Sequence, residues 1–373
     1  MESKKVACIV SSLYGGGAEK SVLTLSRTLN RLGHSSHVVS LEDVVHYDVS
    51  AEQNVHVLKT RPENAIGLRA HDGRVNELRE RLDQIQSADG RQFDLVIANL
   101  LVASNVVSRA GLDNVFHCVH NSLEQTLRQA RNRSLPHYLR RRHQLRALDG
   151  QRLIAVSRGI RNELEDPGIP RPASVRVIYN AVDTEMIRRR AREPLSDIPD
   201  GDYVIHVGRA ARQKRHDVLL EAFKSVPERY RLVLLAPNPD RLRRWVTERG
   251  LADRVVIPEF QQNPYPWIAG ARLLALSSDF EGLSLVCIEA LACGTPVVAT
   301  DCPHGPSEVL SGNLSRWLVP VGDSGALAAK INEALETEID VSNPEILNKV
   351  RPEVVAAQYL SLAGNHAQMS EIG

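Results

Sequence analysis

Short runs of apolar, largely β-branched residues alternate along the chain with longer segments that have helical periodicity. Strands buried on both faces of a parallel sheet are apolar throughout, so each run predicts such a strand. In the first half the runs are KVACIV (5–10), HVVSL (37–41), DLVIANL (94–100), VFHCVH (115–120), RLIAVS (152–157) and VRVIYN (175–180). Between the first two, AEKSVLTLSRTLNRLG (18–33) predicts a helix that stops at a glycine.

The same alternation starts again after residue 200. Strands are predicted at 203–208, 231–236, 254–259, 273–278 and 295–300, and helices at 216–226, 239–250 and 285–294. The intervening segment 183–202 is polar and charged and contains Pro and Gly, which is the composition of a linker. The pattern therefore predicts an α/β protein with two Rossmann-like domains, at 1–185 and 200–345, facing a central cleft.

Length and composition agree with two globular domains. The 373 residues exceed the roughly 250–300 at which a single hydrophobic core stops growing. Lys and Arg number 46 against 45 Asp and Glu, so overall charge does not indicate a nucleic-acid partner. The five cysteines contain no CxxC pair, which predicts reduced thiols rather than disulfides or zinc. No apolar run is long enough for a signal peptide or a membrane span, and we expect a cytoplasmic protein.

Two glutamates stand out in DFEGLSLVCIEALACGTPVVAT (279–300). Glu281 falls in a strand-to-helix loop, where such folds place ligand contacts, and Glu289 falls within the helix that follows. The free N–H groups at the start of that helix form an anion site between them. This arrangement fits a nucleotide-diphosphate sugar, with carboxylates for sugar and ribose hydroxyls. Spacing alone leaves open the alternative that both are ordinary surface charges.

Other strand ends carry further candidates. Arg209 and Lys214, in VGRAARQKRHD, can hold a diphosphate, although a solvated basic loop is the alternative. The loop LYGGGAEKS (13–21) lets backbone approach a ligand, and it matches neither G-x-G-x-x-G nor a Walker A motif. His120 ends the strand VFHCVH, whereas His117 lies on the opposite face and is expected to be structural.

Taken in order, these motifs resemble the retaining GT-B glycosyltransferases of family 4. The resemblance covers residues 5–335, nearly the whole chain, and the closing segment resembles members that build bacterial surface glycans. The motifs are SSLYGGGAEKS, VIYNAVD, VGRAARQKRHDVLLEAF, the two glutamates and DCPHGPSEVLSGNLSRWLVPVGD.

The resemblance implies a role for each candidate. Glu289 would accept the ribose hydroxyls, and Glu281 would face the donor sugar. Arg209 and Lys214 would stabilise the departing diphosphate, and His120 would lie near the transferred sugar. Backbone groups that would contact the donor or acceptor belong to Gly16, Gly17, Gly282, Leu283 and Ser284.

The resemblance also implies an activity. It is the retaining transfer of a hexosyl or N-acetylhexosaminyl group, favouring a UDP-sugar, to a saccharide or lipid-linked saccharide in surface polysaccharide or lipopolysaccharide synthesis. No metal or cofactor is implied, and a helix at about 350–373 would pack back on the first domain. Two segments, 234–242 and 259–267, depart from the usual pattern near the base, so the base stays open.

A strongly basic stretch runs from Arg128 to Arg152. Either it is a solvated face, or it contacts an anionic membrane, which would place the protein at the inner face of that membrane. Aromatic residues are not interleaved with these cations, so nucleic acid is not expected. Two other functions remain open: an NAD-dependent Rossmann oxidoreductase, and a non-catalytic partner subunit of the GT-B fold.

Overall fold

The chain folds into two compact units, which we call the first and the second unit. The first comprises Met1–Ala181 with Val350–Gly373, and the second comprises Val182–Lys349. The structure, a computed structural model, describes residues 2–44, 49, 54–58, 68–166, 168, 170–194, 201–237 and 239–364.

A parallel seven-stranded sheet forms the centre of the first unit in the part of the chain described. Its order is β3-β2-β1-β4-β5-β6-β7. The first three strands are added in one direction and β4 to β7 in the other, so the switch point lies between β1 and β4. The strands are β1 (Lys5–Val10), β2 (Ser35–Ser40), β3 (Val55–Val57), β4 (Leu95–Asn99), β5 (Val115–Val119), β6 (Arg152–Ala155) and β7 (Ser174–Val177). Strands β1 and β4 are buried along their whole length, as their apolar runs require.

Helices cover this sheet. They are α1 (Gly17–Arg31), α2 (Leu68–Ser87), α3 (Leu100–Val107), α4 (Leu123–Arg133), α5 (Leu135–Leu145) and α6 (Arg158–Glu165). The core beneath α2 and α3 joins Leu78 and Leu82 to Ile9 of the sheet and Val106. Helix α1 ends at Arg31, and Gly33, with φ of +86°, turns the chain toward β2.

The second unit holds a six-stranded parallel sheet in the order β10-β9-β8-β11-β12-β13. Its strands are β8 (Tyr203–Val207), β9 (Arg231–Leu235), β10 (Val255–Val256), β11 (Leu273–Leu276), β12 (Val297–Thr300) and β13 (Leu318–Val319). Its helices are α7 (Thr184–Arg190), α8 (His216–Phe223), α9 (Asp240–Glu248), α10 (Tyr265–Ala269), α11 (Leu285–Cys293), α12 (Pro306–Val309), α13 (Ser324–Leu335) and α14 (Glu345–Lys349). The chain reverses direction between β8 and β11, and ligands bind at such switch points in open α/β sheets.

The last helix, α15 (Pro352–Ala363), belongs to the first unit and packs on α1. The carbonyl oxygen of Leu362 accepts a hydrogen bond of 3.3 Å from Asn114 Nδ2. Buried Tyr359 lies with its hydroxyl 3.7 Å from Cys118 Sγ. The helix is therefore fixed to the β5 segment of the first unit through specific contacts.

The predicted class, α/β with two Rossmann-like parallel sheets, is confirmed, and local boundaries differ. The segment 183–202, interpreted as a linker, contains helix α7, which Asp183 caps by accepting from Met186 N at 2.8 Å. The strand predicted at 254–259 reduces to Val255–Val256, because Pro258 cannot donate to a sheet ladder. Among the described residues, no helix combines the length and apolarity needed to cross a bilayer.

Candidate active site

Two loops meet at the switch point of the second unit: one follows β8, and the other follows β11. Lys214 Nζ donates to Glu281 Oε1 at 2.7 Å, and Ser278 Oγ donates to the same oxygen at 2.6 Å. The Lys214 and Glu281 side chains are only 17% and 9% exposed. Both bonds end on Oε1, which leaves Oε2 with capacity to accept a further hydrogen bond.

Backbone contacts fix the two loops to each other. Ser277 Oγ donates to the Lys214 carbonyl at 2.8 Å, and Asp279 N donates to the Gln213 carbonyl at 2.8 Å. The Gln213 side chain in turn donates to the Phe280 carbonyl at 2.6 Å. The ion pair is therefore held by the loops on both sides and does not depend on its own attraction alone.

Helix α11 begins beside this ion pair with unused donors. Ser284 precedes it in the left-handed conformation, with φ of +44°, and its side chain does not cap the helix. Within the described residues, the buried Ser284 hydroxyl and the N–H groups of Leu285 and Val286 make no hydrogen bond. The first turn also lacks acidic residues, so the positive end of the helix dipole is uncompensated. This helix start is built to bind an anion.

The loop after β12 closes against Ser284. Gly305 has a φ of +87°, and a Cβ at this position would lie 3.0 Å from Ser284 Oγ and 3.1 Å from Ser284 N. Pro303, in the same loop, accepts from Glu281 N at 3.2 Å. Glycine suits this position because its positive φ strains any side chain and a Cβ would crowd Ser284.

Glu289 lies farther along α11 and is half-buried. Its Oε1 accepts from the hydroxyl of buried Tyr265 at 3.5 Å, the limit of a hydrogen bond. Tyr265 is the first residue of α10, which packs on α11. The tyrosine thus gives the carboxylate a neighbour that can set its orientation.

Arg209 lies in the loop after β8, and His206 lies in the last part of β8 itself. Arg209 is exposed, and none of the ion pairs within the described residues involves it. His206 is buried and bonds through Nδ1 to the Ala275 carbonyl at 2.9 Å. Burial lowers the pKa of His206 to about 4, so the ring is neutral at pH 7 and adds no charge near Lys214.

In the first unit, the side chain of His120 contacts that of Asn99, the last residue of β4. Asn99 Nδ2 donates to the carbonyls of Ile9 and Ile97 at 3.3 Å, so its Oδ1 must accept from His120 Nε2 at 3.0 Å. This places the ring proton on Nε2 and leaves Nδ1 as an acceptor. Nδ1 is buried and has no hydrogen-bond partner among the described residues. The pKa of His120 falls to about 4, mainly through burial, with an opposing contribution from Asn180.

The glycine loop of the first unit ends at α1. Gly15 has a φ of +112°, Gly16 is the N-cap residue and Gly17 begins the helix. A Cβ on Gly16 would collide with the carboxylate of Glu19, which lies in the first turn. Because that carboxylate opposes an anion, this helix start differs electrostatically from that of α11.

The candidates thus fall into two groups. Arg209, Lys214, Glu281 and Glu289, with the Gly282–Ser284 turn, lie at the switch point of the second unit or on the helix that leaves it. Gly16, Gly17 and His120 lie at strand ends of the first unit. His117 is fully buried on β5, where burial lowers its pKa to about 4.

Sequence reasoning missed Ser278, Tyr265 and Asn99. Ser278 and Asn99 could have been found, because each is a polar residue at the end of an apolar strand. Tyr265 follows Pro264 in a short helix, and no local signal points from it to Glu289.

The basic stretch divides structurally. Arg152 stacks on the Phe116 ring, with its guanidinium carbon 4.4 Å from the ring centre. Most of the remainder lies on helices α4 and α5, and on α5 Leu135 is 66% and Leu139 is 51% exposed. The exposed arginines of α4 and α5 are Arg128, Arg131, Arg133 and Arg140. We call Leu135, Leu139, Arg131, Arg133 and Arg140 the hairpin patch.

The candidates for metal binding and disulfide formation are the His, Cys, Asp and Glu side chains of the described residues. They contain no group of three or more His, Cys, Asp or Glu placed to hold a metal ion. All five thiols are free, and only Cys293 is not buried. Burial raises the pKa of Cys8 and of Cys118 to about 12.

Two parallel, Rossmann-like sheets in separate units, with polar groups at their carboxyl strand ends, define the GT-B class of fold. Family models match the chain in succession: Glycosyltransferase Family 4 over residues 15–186, and Glycosyl transferases group 1 over residues 188–349. The chain belongs to the GT-B glycosyltransferases, as its motif order indicated.

Two curated relatives resemble parts of the chain. An N-acetylgalactosamine-N,N'-diacetylbacillosaminyl-diphospho-undecaprenol 4-alpha-N-acetylgalactosaminyltransferase of Campylobacter jejuni is 32% identical over 170 residues, covering 45% of this chain and 46% of the relative. A lipopolysaccharide 1,6-galactosyltransferase of Escherichia coli K12 is 27% identical over 203 residues, covering 52% and 55%. The chain spans about half the length of these relatives, and they place its resemblance among bacterial glycan enzymes.

A solved structure shares the fold over nearly the whole chain. Anabaena HepE, solved in complex with UDP and glucose, superposes with a TM-score of 0.66 and 19% identity. The match covers 98% of this chain and 99% of HepE. The fold identification is therefore not limited to one domain.

Proposed function

We propose that the protein transfers a hexosyl or N-acetylhexosaminyl group from a UDP-sugar to a saccharide or lipid-linked saccharide, with retention at the anomeric carbon. The observation that carries the proposal is the start of α11. There, the buried Ser284 hydroxyl and the first N–H groups of the helix have no hydrogen-bond partner in the described part of the chain, and they lie beside the Lys214–Glu281 pair.

The donor diphosphate would bind at this helix start. Ser284 and the N–H groups of Leu285 and Val286 would donate to its oxygens, while Arg209 and Lys214 supply positive charge. Lys214 has three ammonium protons, and Glu281 accepts only one of them in the described contacts. The lysine can therefore contact phosphate while Glu281 holds it in place.

Carboxylates at both ends would recognise hydroxyl groups. Glu281 Oε2 would accept from the donor sugar beyond Gly282, and Glu289, oriented by Tyr265, would accept from the ribose. Support for uracil as the base comes from the fold shared with HepE, which was solved with UDP.

The acceptor would bind to the first unit. His120 Nδ1 is a neutral acceptor for one of its hydroxyls, and Gly16 and Gly17 allow close approach of the saccharide. The carboxylate of Glu19 disfavours a phosphate at this loop, which supports an uncharged hydroxyl group there. The names of the relatives support a glycan acceptor of bacterial lipopolysaccharide or lipid-linked synthesis.

In the reaction, the acceptor oxygen forms a bond to the anomeric carbon on the face from which the diphosphate leaves. The bond from that carbon to the phosphate oxygen breaks, and the departing oxygen takes the acceptor's proton. Arg209 and Lys214 act by stabilising the charge that builds on the leaving group. Neither glutamate has to be a nucleophile, and we propose that no metal or cofactor takes part.

The hairpin patch would bring the enzyme to its acceptor in a membrane. Its exposed leucines can enter the interface while the arginines contact anionic headgroups. We propose peripheral association with the inner face of the membrane.

The first test is a thermal-shift panel of UDP, GDP, ADP, CMP and NAD. Wild type should be stabilised by UDP, and both Lys214→Ala and Glu289→Ala should lose that shift. Lys224→Ala is the matched control, because Lys224 is an exposed lysine paired with Glu221 outside the site. Stabilisation by NAD alone would establish the oxidoreductase alternative instead.

A measurement of turnover distinguishes an active glycosyltransferase from a non-catalytic partner subunit with the same fold. UDP release should be measured with UDP-glucose, UDP-galactose and their N-acetyl forms in the presence of a lipid-linked or lipopolysaccharide acceptor. Proton NMR of the product then gives the anomeric configuration. UDP binding without turnover of any donor would favour the non-catalytic subunit, and an inverted anomer would refute retention.

A further inference from the structure

The second unit contains a cavity lined by part of the Arg212–Arg215 turn and by Asp279 of the loop after β11. Its volume is about 500 Å³, which is within the range of small-molecule sites. The residues that line it are Ala211, Arg212, Arg215, His216, Asp217, Arg241, Trp245, Arg249 and Asp279.

Positive charge in this cavity exceeds negative charge. Arg215 bonds to both aspartates, donating to Asp217 at 3.0 Å and to Asp279 at 2.8 Å. The remaining cations, Arg212, Arg241 and Arg249, form no ion pair within the described residues. The two aspartates of the cavity are therefore paired with Arg215, and three further arginines line it without an ion pair of their own among the described residues.

Trp245 and His216 add an aromatic wall. The Arg241 guanidinium carbon lies 4.5 Å from the Trp245 ring centre, and Arg249 donates to the Trp245 carbonyl at 3.1 Å. His216 is 1% exposed, and neither of its ring nitrogens has a hydrogen-bond partner among the described residues. A buried polar ring without a partner lines the same cavity as the unpaired arginines. The pKa of His216 is lowered, first by burial and then by His206, Lys214 and Arg241.

We propose that this cavity binds the phosphate group of a phosphorylated sugar, at a site separate from the donor site. One guanidinium group can donate two parallel hydrogen bonds to phosphate oxygens, and three arginines without an ion pair among the described residues line this cavity. The cavity is larger than one phosphate needs, and the half-buried indole of Trp245 offers an apolar face to a sugar ring.

The cavity and the donor site share a structural element. Arg212 lines the cavity and Lys214 ends the same turn, while Arg215 holds Asp279 of the β11 loop. A phosphate bound to Arg212 would therefore restrain the turn that carries Lys214. This inference goes beyond the proposed transfer reaction and does not require it.

Calorimetric titration of the full-length protein with glucose 6-phosphate tests the proposal, with glucose and inorganic phosphate as comparison ligands. Binding should weaken roughly tenfold or more in Arg212→Gln and in Arg241→Gln, the loss expected for one charged hydrogen bond. Arg244→Gln is the matched control, because Arg244 is an exposed arginine on α9 that does not line the cavity. Lys214→Ala should still bind, because Lys214 does not line the cavity.

Tryptophan fluorescence locates the binding. The chain has three tryptophans, and Trp267 and Trp317 are buried elsewhere. Glucose 6-phosphate should change the emission of wild type and not that of Trp245→Phe. The proposal is overturned if wild type does not bind, if Arg244→Gln loses as much affinity as Arg241→Gln, or if Lys214→Ala abolishes binding. Binding of inorganic phosphate as tight as that of the sugar phosphate would overturn the saccharide assignment.

Discussion

Lys214 and Glu281 stand 67 residues apart in the sequence, and their charged groups are 2.7 Å apart in the structure. Ser278 donates to the same carboxylate oxygen, so Glu281 receives two hydrogen bonds in a largely buried setting. Removing one partner leaves the other charge poorly solvated, whereas removing both does not.

This pair predicts non-additive stability. Lys214→Met should lower the free energy of unfolding by about 2 kcal/mol, less than for a fully buried pair because water still reaches the lysine. The double variant Lys214→Met/Glu281→Gln should cost less than the sum of the single variants. Urea unfolding measures all three. Lys224→Met, in an exposed pair, should change stability by less than about 0.5 kcal/mol, and strict additivity at Lys214 and Glu281 would contradict the prediction.

Replacing Ser284 by glycine should raise the stability of the protein and weaken its binding of UDP. Ser284→Gly removes a left-handed non-glycine residue and a buried, unbonded hydroxyl, so we expect about 1 kcal/mol of stabilisation. The same change should weaken UDP binding, because the hydroxyl is a proposed donor ligand. Thermal unfolding and calorimetry measure the two effects.

Arg215 provides the contrast, because its φ of +46° nearly equals that of Ser284. Arg215→Gly relieves the same backbone strain but loses the ion pairs with Asp217 and Asp279. We expect no stabilisation from this variant. If both glycine variants stabilise the protein equally, relief of backbone strain explains the whole gain in stability, and the Ser284 hydroxyl has no effect on stability.

His120 should affect turnover and not donor binding. Its Nδ1 is a neutral acceptor, so His120→Ala should lower kcat roughly 100-fold and leave the Kd for UDP unchanged. Because its pKa is about 4, wild type and variant should have parallel pH profiles between pH 6 and 8. His143→Ala, at an exposed site on α5, is the control. A loss of UDP affinity in His120→Ala would contradict the assignment to the acceptor side.

Buried histidines predict instability in acid. Burial lowers the pKa of His117, His120 and His206 to about 4, while an unfolded histidine titrates near 6.5. Between these values the unfolded state binds more protons, so stability present above about pH 6.5 is lost as pH falls toward 4. Each histidine adds up to about 1.4 kcal/mol per pH unit to the slope.

The free energy of unfolding, measured from pH 7.5 to 4, tests this directly. His117→Leu should reduce the slope below pH 6.5 and leave the curve parallel to wild type above pH 7. An unchanged slope would mean that His117 becomes protonated within the folded protein at ordinary pH.

The hairpin patch should bind anionic vesicles. Arg131→Gln/Arg133→Gln/Arg140→Gln removes three cations, each contributing about 1 kcal/mol near an anionic surface, so binding should fall roughly 100-fold. Co-sedimentation with phosphatidylglycerol vesicles measures it. Leu135→Ser/Leu139→Ser should also weaken vesicle binding. At high salt, where charge is screened, the leucine variant should lose more binding than the arginine variant.

Charge alone must be separated from position. A triple variant of exposed arginines elsewhere in the first unit, Arg27, Arg109 and Arg171 to Gln, has the same net charge. If it loses as much vesicle binding as the hairpin variant, the patch is an ordinary solvated surface.

The sequence by itself determined the two parallel α/β sheets, because strands buried on both faces must be continuously apolar. The run at 5–10 became β1 and the run at 203–208 became β8, each within a residue of its predicted end. It also determined that Arg209 and Glu281 follow strands, since polar residues directly after apolar runs fall at the ligand-binding edge of a parallel sheet. Helix α7 was missed, because seven residues with one buried apolar side chain carry little periodicity.

Only the tertiary structure decided which of these residues meet. Strand order places β8 beside β11, and this brings Lys214 to Glu281 and Ser278. Among the described residues it also leaves Nδ1 of His120 without a hydrogen-bond partner, and it gathers Arg212, Arg241 and Trp245 around one cavity. Periodicity reports which face of an element is buried, but hydrogen-bond partners depend on register and packing between distant segments. The chemistry of the site therefore follows from contacts that no local stretch of the sequence specifies.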